Sequence, residues 1–428
     1  MNILKTKYMI TVIITVCAGI MPQLFFKNGF LLSYFSKLGL QSSTILIMLS
    51  IPSAVMFILS VPLAYYADIY GKKKIGLIGI IFTVLGFLLI ICSGFFKEEA
   101  FFYIITGLLI FSIGFTALIS GWFALLSPLV PENIRGSFFG NLRLSWQIFA
   151  IACSFIITYI LDLNSSISTY QLILAFFTSL LVLQIFIYMK IPEFEKAEFT
   201  KQSIKNILTY IVDKPGYMPF CAYCFLLLLA TGSWPVTLGL LEKDVLKFSD
   251  ELIVHMGTML FVGSMLGFYI GGKMVDRFGT KIVFLVVHFS YFFILFIVLL
   301  RDFIPVPYGY YFSFITFTLG LIQASSSIAL TSEMMALAPQ KYKSVTISFC
   351  SSLQVGGAAI SGLVSGKIIE YGILSETWVF KSLTLSNYDT LILFNAVMVF
   401  VFIITLGLIP SVVKTKKVQW VPHSSKTL

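Results

Sequence analysis

The chain has 428 residues, of which 58% are hydrophobic, 16% aromatic and only 11% charged, with a mean hydropathy of +0.96. Such a composition excludes an ordinary water-soluble domain and belongs in lipid. A bilayer-crossing helix needs roughly 20 apolar residues, so this length has room for about a dozen.

Lys5 and Lys7 precede the first apolar run, as in a signal peptide, but no small-residue cleavage site follows and comparable runs continue along the chain. The run is therefore read as a retained first span. Apolar stretches bounded by charges, Gly and Pro place spans 1 to 6 at 8–33, 43–66, 75–95, 101–126, 141–162 and 169–190. Spans 7 to 12 follow at 217–241, 252–272, 281–300, 308–332, 345–370 and 389–410. The net charge of +10 comes from 29 Lys and Arg against 19 Asp and Glu. With the amino terminus in the cytoplasm, most of those cations fall on the inner side. This positive-inside bias accounts for the basic excess without nucleic acid.

The loop between spans 2 and 3 carries Asp68-Ile69-Tyr70-Gly71-Lys72-Lys73-Lys74, and an offset of 208 residues carries Asp68, Gly71 and Lys73 onto Asp276, Gly279 and Lys281. The same offset carries Pro131 and Arg135 onto Pro339 and Lys343. Two motifs in one register indicate a duplicated chain. The register aligns spans 1–5 with spans 7–11 and then fails before the last pair, where the outer connection from Tyr371 to Asp389 is longer than its counterpart after Asp162.

An Asp, a Gly three residues on and a basic cluster between two apolar spans resembles the loop signature of the major facilitator superfamily. That pattern also has Gly four residues before the Asp and a basic residue just after it. The second copy keeps both, as Gly272 and Arg277, where the first has Ala64 and Ile69. The resemblance implies an all-helical membrane protein of two pseudo-symmetric six-helix bundles, 12 spans in all, with a solute site near mid-bilayer between them. It also implies a gating role at the inner face for Asp68, Gly71, Lys72 and Lys73, and for Asp276, Arg277, Gly279 and Lys281, with Arg135 and Lys343 as inner-face anchors sharing in it. Read from the residues, Asp68 and Asp276 suit the free N–H groups of a neighbouring helix start. Gly71 and Gly279 permit a tight reversal, and a topology-setting turn is the simpler alternative to gating.

Between the halves, Lys190 to Pro219 is the most hydrophilic stretch, and Ile204, Ile207, Leu208 and Ile211 keep helical spacing opposite Lys201 and Lys205. An amphipathic tether lying on the inner membrane surface is expected. The domains are then 1–190, an N-terminal bundle; 191–216, a cytoplasmic linker; 217–410, a C-terminal bundle; and 411–428, a basic tail suited to anionic headgroups. All six cysteines lie in apolar runs, and Cys221-Ala-Tyr-Cys224 opens a hydrophobic helix without a second pair, so buried free thiols are expected rather than a metal or redox site. A glycosylation sequon at Asn164 falls in an outer turn.

No Asp, Glu, Lys or Arg is read near the middle of a span, where an ionisable residue would itself signal function. A neutral or zwitterionic solute is therefore expected. His255 and His288 can titrate near neutrality, yet a structural histidine is the simpler reading for both, and no proton carrier is favoured. Polar residues near mid-depth are the candidate solute ligands: Gln23, Gln323 with Ser325, and Gln354, followed by Trp234, beside Thr231 and Ser233, and Gln147. Each could equally be interhelical glue.

Span 4 lacks the Arg and span 5 the Gly-Pro signature that mark proton-driven drug exporters of the superfamily. Neither HExxH, GxSxG nor a phosphate-binding loop occurs, which argues against an enzyme or an ATP-driven pump. The expectation is a secondary transporter moving a small organic solute by alternating access, by facilitated diffusion or ion-coupled uptake with a proton or cation. It is expected to be a monomer in the cell membrane with both termini cytoplasmic, and without cofactor or metal. An exporter of the same fold and a transport-inactive receptor or scaffold are the alternatives.

Overall fold

The computed structural model describes residues 3–126, 128–130, 135–194, 204–213, 216–337, 343–380 and 383–408. Ten of the twelve expected spans are single helices: α3 (Ser42–Tyr70), α4 (Lys72–Cys92), α5 (Ala100–Leu126), α6 (Arg135–Leu163) and α7 (Ile167–Tyr188) are spans 2–6. Spans 8–12 are α11 (Asp250–Phe278), α12 (Thr280–Val298), α13 (Tyr308–Leu337), α14 (Lys343–Glu370) and α15 (Asn387–Leu408). Among the described residues, 11 helices are long and apolar enough to cross a bilayer, and Asn387–Phe402 forms a shorter apolar one. The chain is a multi-pass integral membrane protein.

Spans 1 and 7, expected as continuous, are broken. Span 1 is α1 (Ile3–Leu24) and α2 (Phe30–Lys37); span 7 is α9 (Tyr217–Thr231) and α10 (Trp234–Leu240), extended by a π turn over Leu241–Val245. The causes are local: Pro22 removes a helical N–H just before the first break, Gly29 takes a left-handed φ of +78°, and Gly232-Ser233 precedes Pro235 in the second. The breaks coincide in the repeat, since 208 residues past Leu24 lies Gly232.

The register holds for whole helices as well. Shifted by 208, α3 covers 250–278, the bounds of α11, and α6 covers 343–371 against 343–370 for α14. It fails before span 12 because the longer connection folds as an antiparallel hairpin, β1 (Thr377–Phe380) with β2 (Leu383–Ser386). That hairpin is anchored beneath by a buried pair: Arg301 donates to both carboxylate oxygens of Asp389 at 2.6 and 3.0 Å, and Asp389 also accepts from the Ser386 backbone and hydroxyl. The expected amphipathic linker contains a helix, α8 (Ile204–Val212), while Lys201 and the tail 411–428 lie outside the described residues.

Glycines set the tightest helix pairs. Gly79 and Gly86 of span 3 face Gly114 and Gly107 of span 4, and Gly263, Gly267 and Gly271 of span 8 meet the backbone of span 10 so closely that an added Cβ would collide. Spans 2 with 11, and 5 with 8, form the seams between the two halves. Along the first, Ser43 and Ile47 pack on Gly366, Ser50 on Gly362, and Ser352 donates to the Phe57 carbonyl at 2.7 Å. Along the second, Phe155 meets His255, Gln147 donates to the Phe261 carbonyl at 2.7 Å, and Arg143 lies over the Phe268 ring.

Candidate functional site

The repeated Asp–Gly loops define one end of the bundle, the basic face, with Lys72, Lys73, Arg277 and Lys281. Both loops turn on their glycine: Gly71 has φ +104° and Gly279 φ +81°, each donating its N–H to the carbonyl four residues back, in Ala67 and Val275. This is the tight reversal expected from the sequence, at two positions where a side chain would be strained. Among the described residues Asp68 pairs within its own loop. It lies 4.0 Å from the Lys72 ammonium, while the free Lys72 N–H goes to Glu193 at 2.8 Å and the Lys73 ammonium to the Met189 carbonyl at 2.7 Å.

In the second copy Asp276 is exposed, Arg277 lies over Phe278, and Thr280, the counterpart of Lys72, donates to Glu333 at 2.6 Å. Lys281 is half-buried at the start of span 9. In both copies the helix after the glycine is therefore tied to a glutamate from its own half, Glu193 lying just past span 6. Sequence reading singled out neither glutamate for this role, although both stood next to inner helix ends. Arg135 and Lys343 open spans 5 and 11; their side chains, and the prolines before them, lie outside the described residues.

At the opposite, far face the bonds cross between halves. Lys37, at the tip of span 1, pairs with Asp250 at the start of span 8 at 2.8 Å, and Lys243 meets the same carboxylate at 3.3 Å. Asp244, at the tip of span 7, accepts from Ser42 at the start of span 2 at 2.6 Å and from Tyr388 of span 12 at 2.5 Å. These two latches are repeat-related. Moving Asp244 and Ser42 by 208 gives Ser36 and Asp250, one residue from the Lys37–Asp250 pair. Each joins the tip of one half's first span to the start of the other half's second.

Below the latches lies a cavity walled by the break of span 1 (Lys27, Asn28, Gly29), by span 7 from Trp234 to Glu242, by Ile253 to Leu260 of span 8, and by Thr316 of span 10. Its volume of about 30 Å³ has room for roughly two waters and no organic solute, so this conformation is closed at the far face. The lining corrects one expectation. Lys27 and Glu242 are ionisable residues bordering the cavity between the halves, so the premise behind a neutral or zwitterionic solute, that the spans hold no ionisable residue near their middle, does not hold. Lys27 stands at a break that is invisible in an unbroken apolar run, and Glu242 lies one residue past the expected end of span 7.

The sequence-derived ligands are distributed unevenly around this cavity. Trp234 lines it and is 1% exposed. Gln147, 1% exposed, donates across the seam to Phe261, and Ser325 donates to the Gly267 carbonyl at 3.1 Å, joining spans 10 and 8. The Gln354 amide lies 3.8 Å from the Cys350 sulfur, and Cys350, Cys221 and Cys224 are buried free thiols. Gln23 and Gln323 are half-buried away from the cavity wall. His288 is held by the Tyr223 hydroxyl at 2.8 Å and the Phe284 carbonyl at 2.5 Å, and His255 packs on Phe155. Ser233 bonds Ser361 and Ser365 of span 11 at 3.1 and 3.2 Å, fixing the break in span 7.

With this geometry in place, comparison is informative. The profile described as Major Facilitator Superfamily matches residues 9–362. The chain belongs to the major facilitator superfamily. It is thus a member of a superfamily of membrane transporters, not an enzyme. No curated protein sequence matches the chain. Among solved structures, a mutant form of the nucleoside transporter NupG superposes with a TM-score of 0.70 at 16% identity, covering 94% of this chain and 99% of that one. A D-xylose-proton symporter gives 0.67 at 12% identity over 93% and 97% of the two chains. The E. coli fucose:proton symporter FucP gives 0.61 at 15% identity over 95% and 98%. At these identities the likeness concerns the fold.

Proposed function

We infer that this superfamily member is a secondary transporter that takes up a small organic solute by alternating access, by facilitated diffusion or coupled to a proton or cation. The two halves, 1–190 and 217–410, rock about their seams, joined by the linker 191–216. The single observation that carries this reading is the pair of breaks at corresponding places in spans 1 and 7, which border one cavity that also holds the polar groups of Lys27, Asn28 and Glu242. Breaks so paired leave backbone and side-chain polar groups free for a ligand where an unbroken helix would satisfy them internally. The solved structures with the same fold include transporters described as carrying nucleosides, D-xylose and fucose, which supports a small organic solute.

In this reading the far-face latches hold one side shut and the Asp68 and Asp276 loops stabilise the opposite closure. The basic face is cytoplasmic by the placement of Lys and Arg, with both chain ends on that side and the protein in the cell membrane as a monomer. Solute moves the equilibrium only through unequal affinity for the two conformations. Counterflow in proteoliposomes tests the proposal: preloaded unlabelled solute must accelerate entry of labelled solute. Binding without counterflow across a broad solute panel would instead identify a receptor.

A further inference from the structure

We propose that Lys27 and Glu242 are the two charged ends of one binding site, and that the cavity between the broken spans takes a zwitterionic solute with an apolar body, its carboxylate at Lys27 and its ammonium at Glu242. The inference rests on the transporter reading and narrows its substrate class.

Around the far end of the bundle Lys37, Lys243 and Asp250 satisfy one another, and Asp244 accepts two hydroxyls. Lys27 and Glu242, one layer below, have no ion pair or side-chain hydrogen bond among the described residues. Glu242 is 2% exposed and its Oε1 is buried with no donor. A carboxylate in that position is strongly disfavoured unless something brings it a cation or a donor. Lys27 borders the same cavity and keeps an accessible side chain among the buried Phe25, Asn28 and Phe30.

A third free group points the same way. Asn28 is fully buried and is one of the residues lining the cavity beside Lys27; its side-chain oxygen accepts from the Phe30 N–H at 3.2 Å, while its Nδ2 has no acceptor among the described residues. The span 1 side therefore offers two donors, one of them cationic, and the span 7 side offers an anionic acceptor. Between them the wall is apolar, from Trp234, Leu238, Ile253, Met256 and Leu260. A neutral sugar would bring no cation to the buried Glu242 carboxylate and no anion to Lys27. A dianion or dication would satisfy one and oppose the other. A solute with one charge of each sign and an apolar body satisfies all three free groups, and because they come from both halves it also draws the halves together.

Thermal shift on the purified full-length protein tests this with L-leucine and L-phenylalanine, their methyl esters, which lack the carboxylate, and their N-acetyl derivatives, which lack the ammonium; uridine and D-xylose serve as neutral probes. Free amino acids should stabilise the protein, with each charge-deleted analogue weaker by about tenfold to a hundredfold in affinity. In Lys27→Met the ester should bind as well as the free acid, and in Glu242→Gln the N-acetyl compound as well as the free amine. This exchange of preferences is a readout that a merely structural role would not move, and Lys27→Arg should restore the preference for the free acid. The proposal is overturned if no zwitterion in the set stabilises the protein, or if the analogues keep their ranking in both variants. Counterflow of uridine or D-xylose, equal in wild type and both variants, would overturn it while leaving the transporter reading standing. Binding of the amino acids without counterflow would overturn the transporter reading instead.

Discussion

The far-face latches make a quantitative prediction. Asp250→Asn removes the carboxylate that Lys37 and Lys243 share and leaves two ammonium groups facing each other across the halves. Their side chains are 29% and 20% exposed and that of Asp250 is 10%, so the pairs are neither fully screened nor fully buried. An exposed pair is worth up to about 1 kcal/mol and a charged hydrogen bond about 1.5–3 kcal/mol. We expect about 1–2 kcal/mol of lost closure, which shifts the balance towards the far-open state roughly 5- to 30-fold. The reporter is Thr316→Cys, at a buried cavity position 4% exposed, labelled by a membrane-impermeant maleimide in vesicles where only the far face is reachable. Labelling in the Asp250→Asn background should accelerate by that factor. An unchanged rate in well-folded protein would refute the latch assignment, as would faster labelling from the basic face alone.

Four further outcomes follow from the same geometry. Asp68→Asn combined with Asp276→Asn should slow counterflow while leaving membrane insertion and yield intact; undiminished transport by the double variant rejects loop gating. Arg301→Ala strands Asp389, which is 0% exposed, and should cost about 3 kcal/mol or more, read as a lower unfolding midpoint, the low end applying because the Ser386 donors remain. Gly71→Ala and Gly279→Ala force a Cβ onto positive φ and should each destabilise by about 1–3 kcal/mol in the same measurement, with no change in solute preference. Ser325→Ala, which loses a bond between spans 10 and 8, should lower stability by about 0.6 kcal/mol and leave solute affinity unchanged; weakened binding at full stability would make Ser325 a ligand.

Most of the helix plan was legible because lipid imposes a simple rule: every long apolar run must close its own backbone hydrogen bonds. The repeat was legible because loop residues, Asp68 with Gly71 and Asp276 with Gly279, had kept their spacing. Hydropathy missed the events inside spans. Pro22 and Gly29 break span 1, and Gly232 with Pro235 breaks span 7, yet none lowers the apolar average enough to end a run. The information was present as a proline and a glycine within a few residues of each break, although at different repeat positions in the two halves, and weighing those would have placed Lys27 at a kink. Polarity alone, by contrast, ranked Gln147 and Ser325 as candidate ligands, residues whose hydrogen bonds in the structure run to the backbone of neighbouring helices.

The distribution of contacts over the two faces gives the repeat its mechanical meaning. The seams are equivalent under the 208-residue shift: Phe57 with Ser352 maps to residues 265 and 144, at the level where Phe268 meets Arg143 and Trp146. The two seams occupy corresponding places, and the one between spans 2 and 11 is the more extensive. The latches are equivalent as well, although with charge reversed, since the cation comes from span 1 in one and the carboxylate from span 7 in the other. Both latches lie at the far face, and among the described residues the ties of Lys72, Lys73 and Thr280 at the basic face stay within a half. Contacts away from the seams add to whichever conformation they close. In the alternating-access reading the Lys37, Asp244 and Asp250 cluster is one such set of contacts, and a modest change in its charge is expected to alter which side is open.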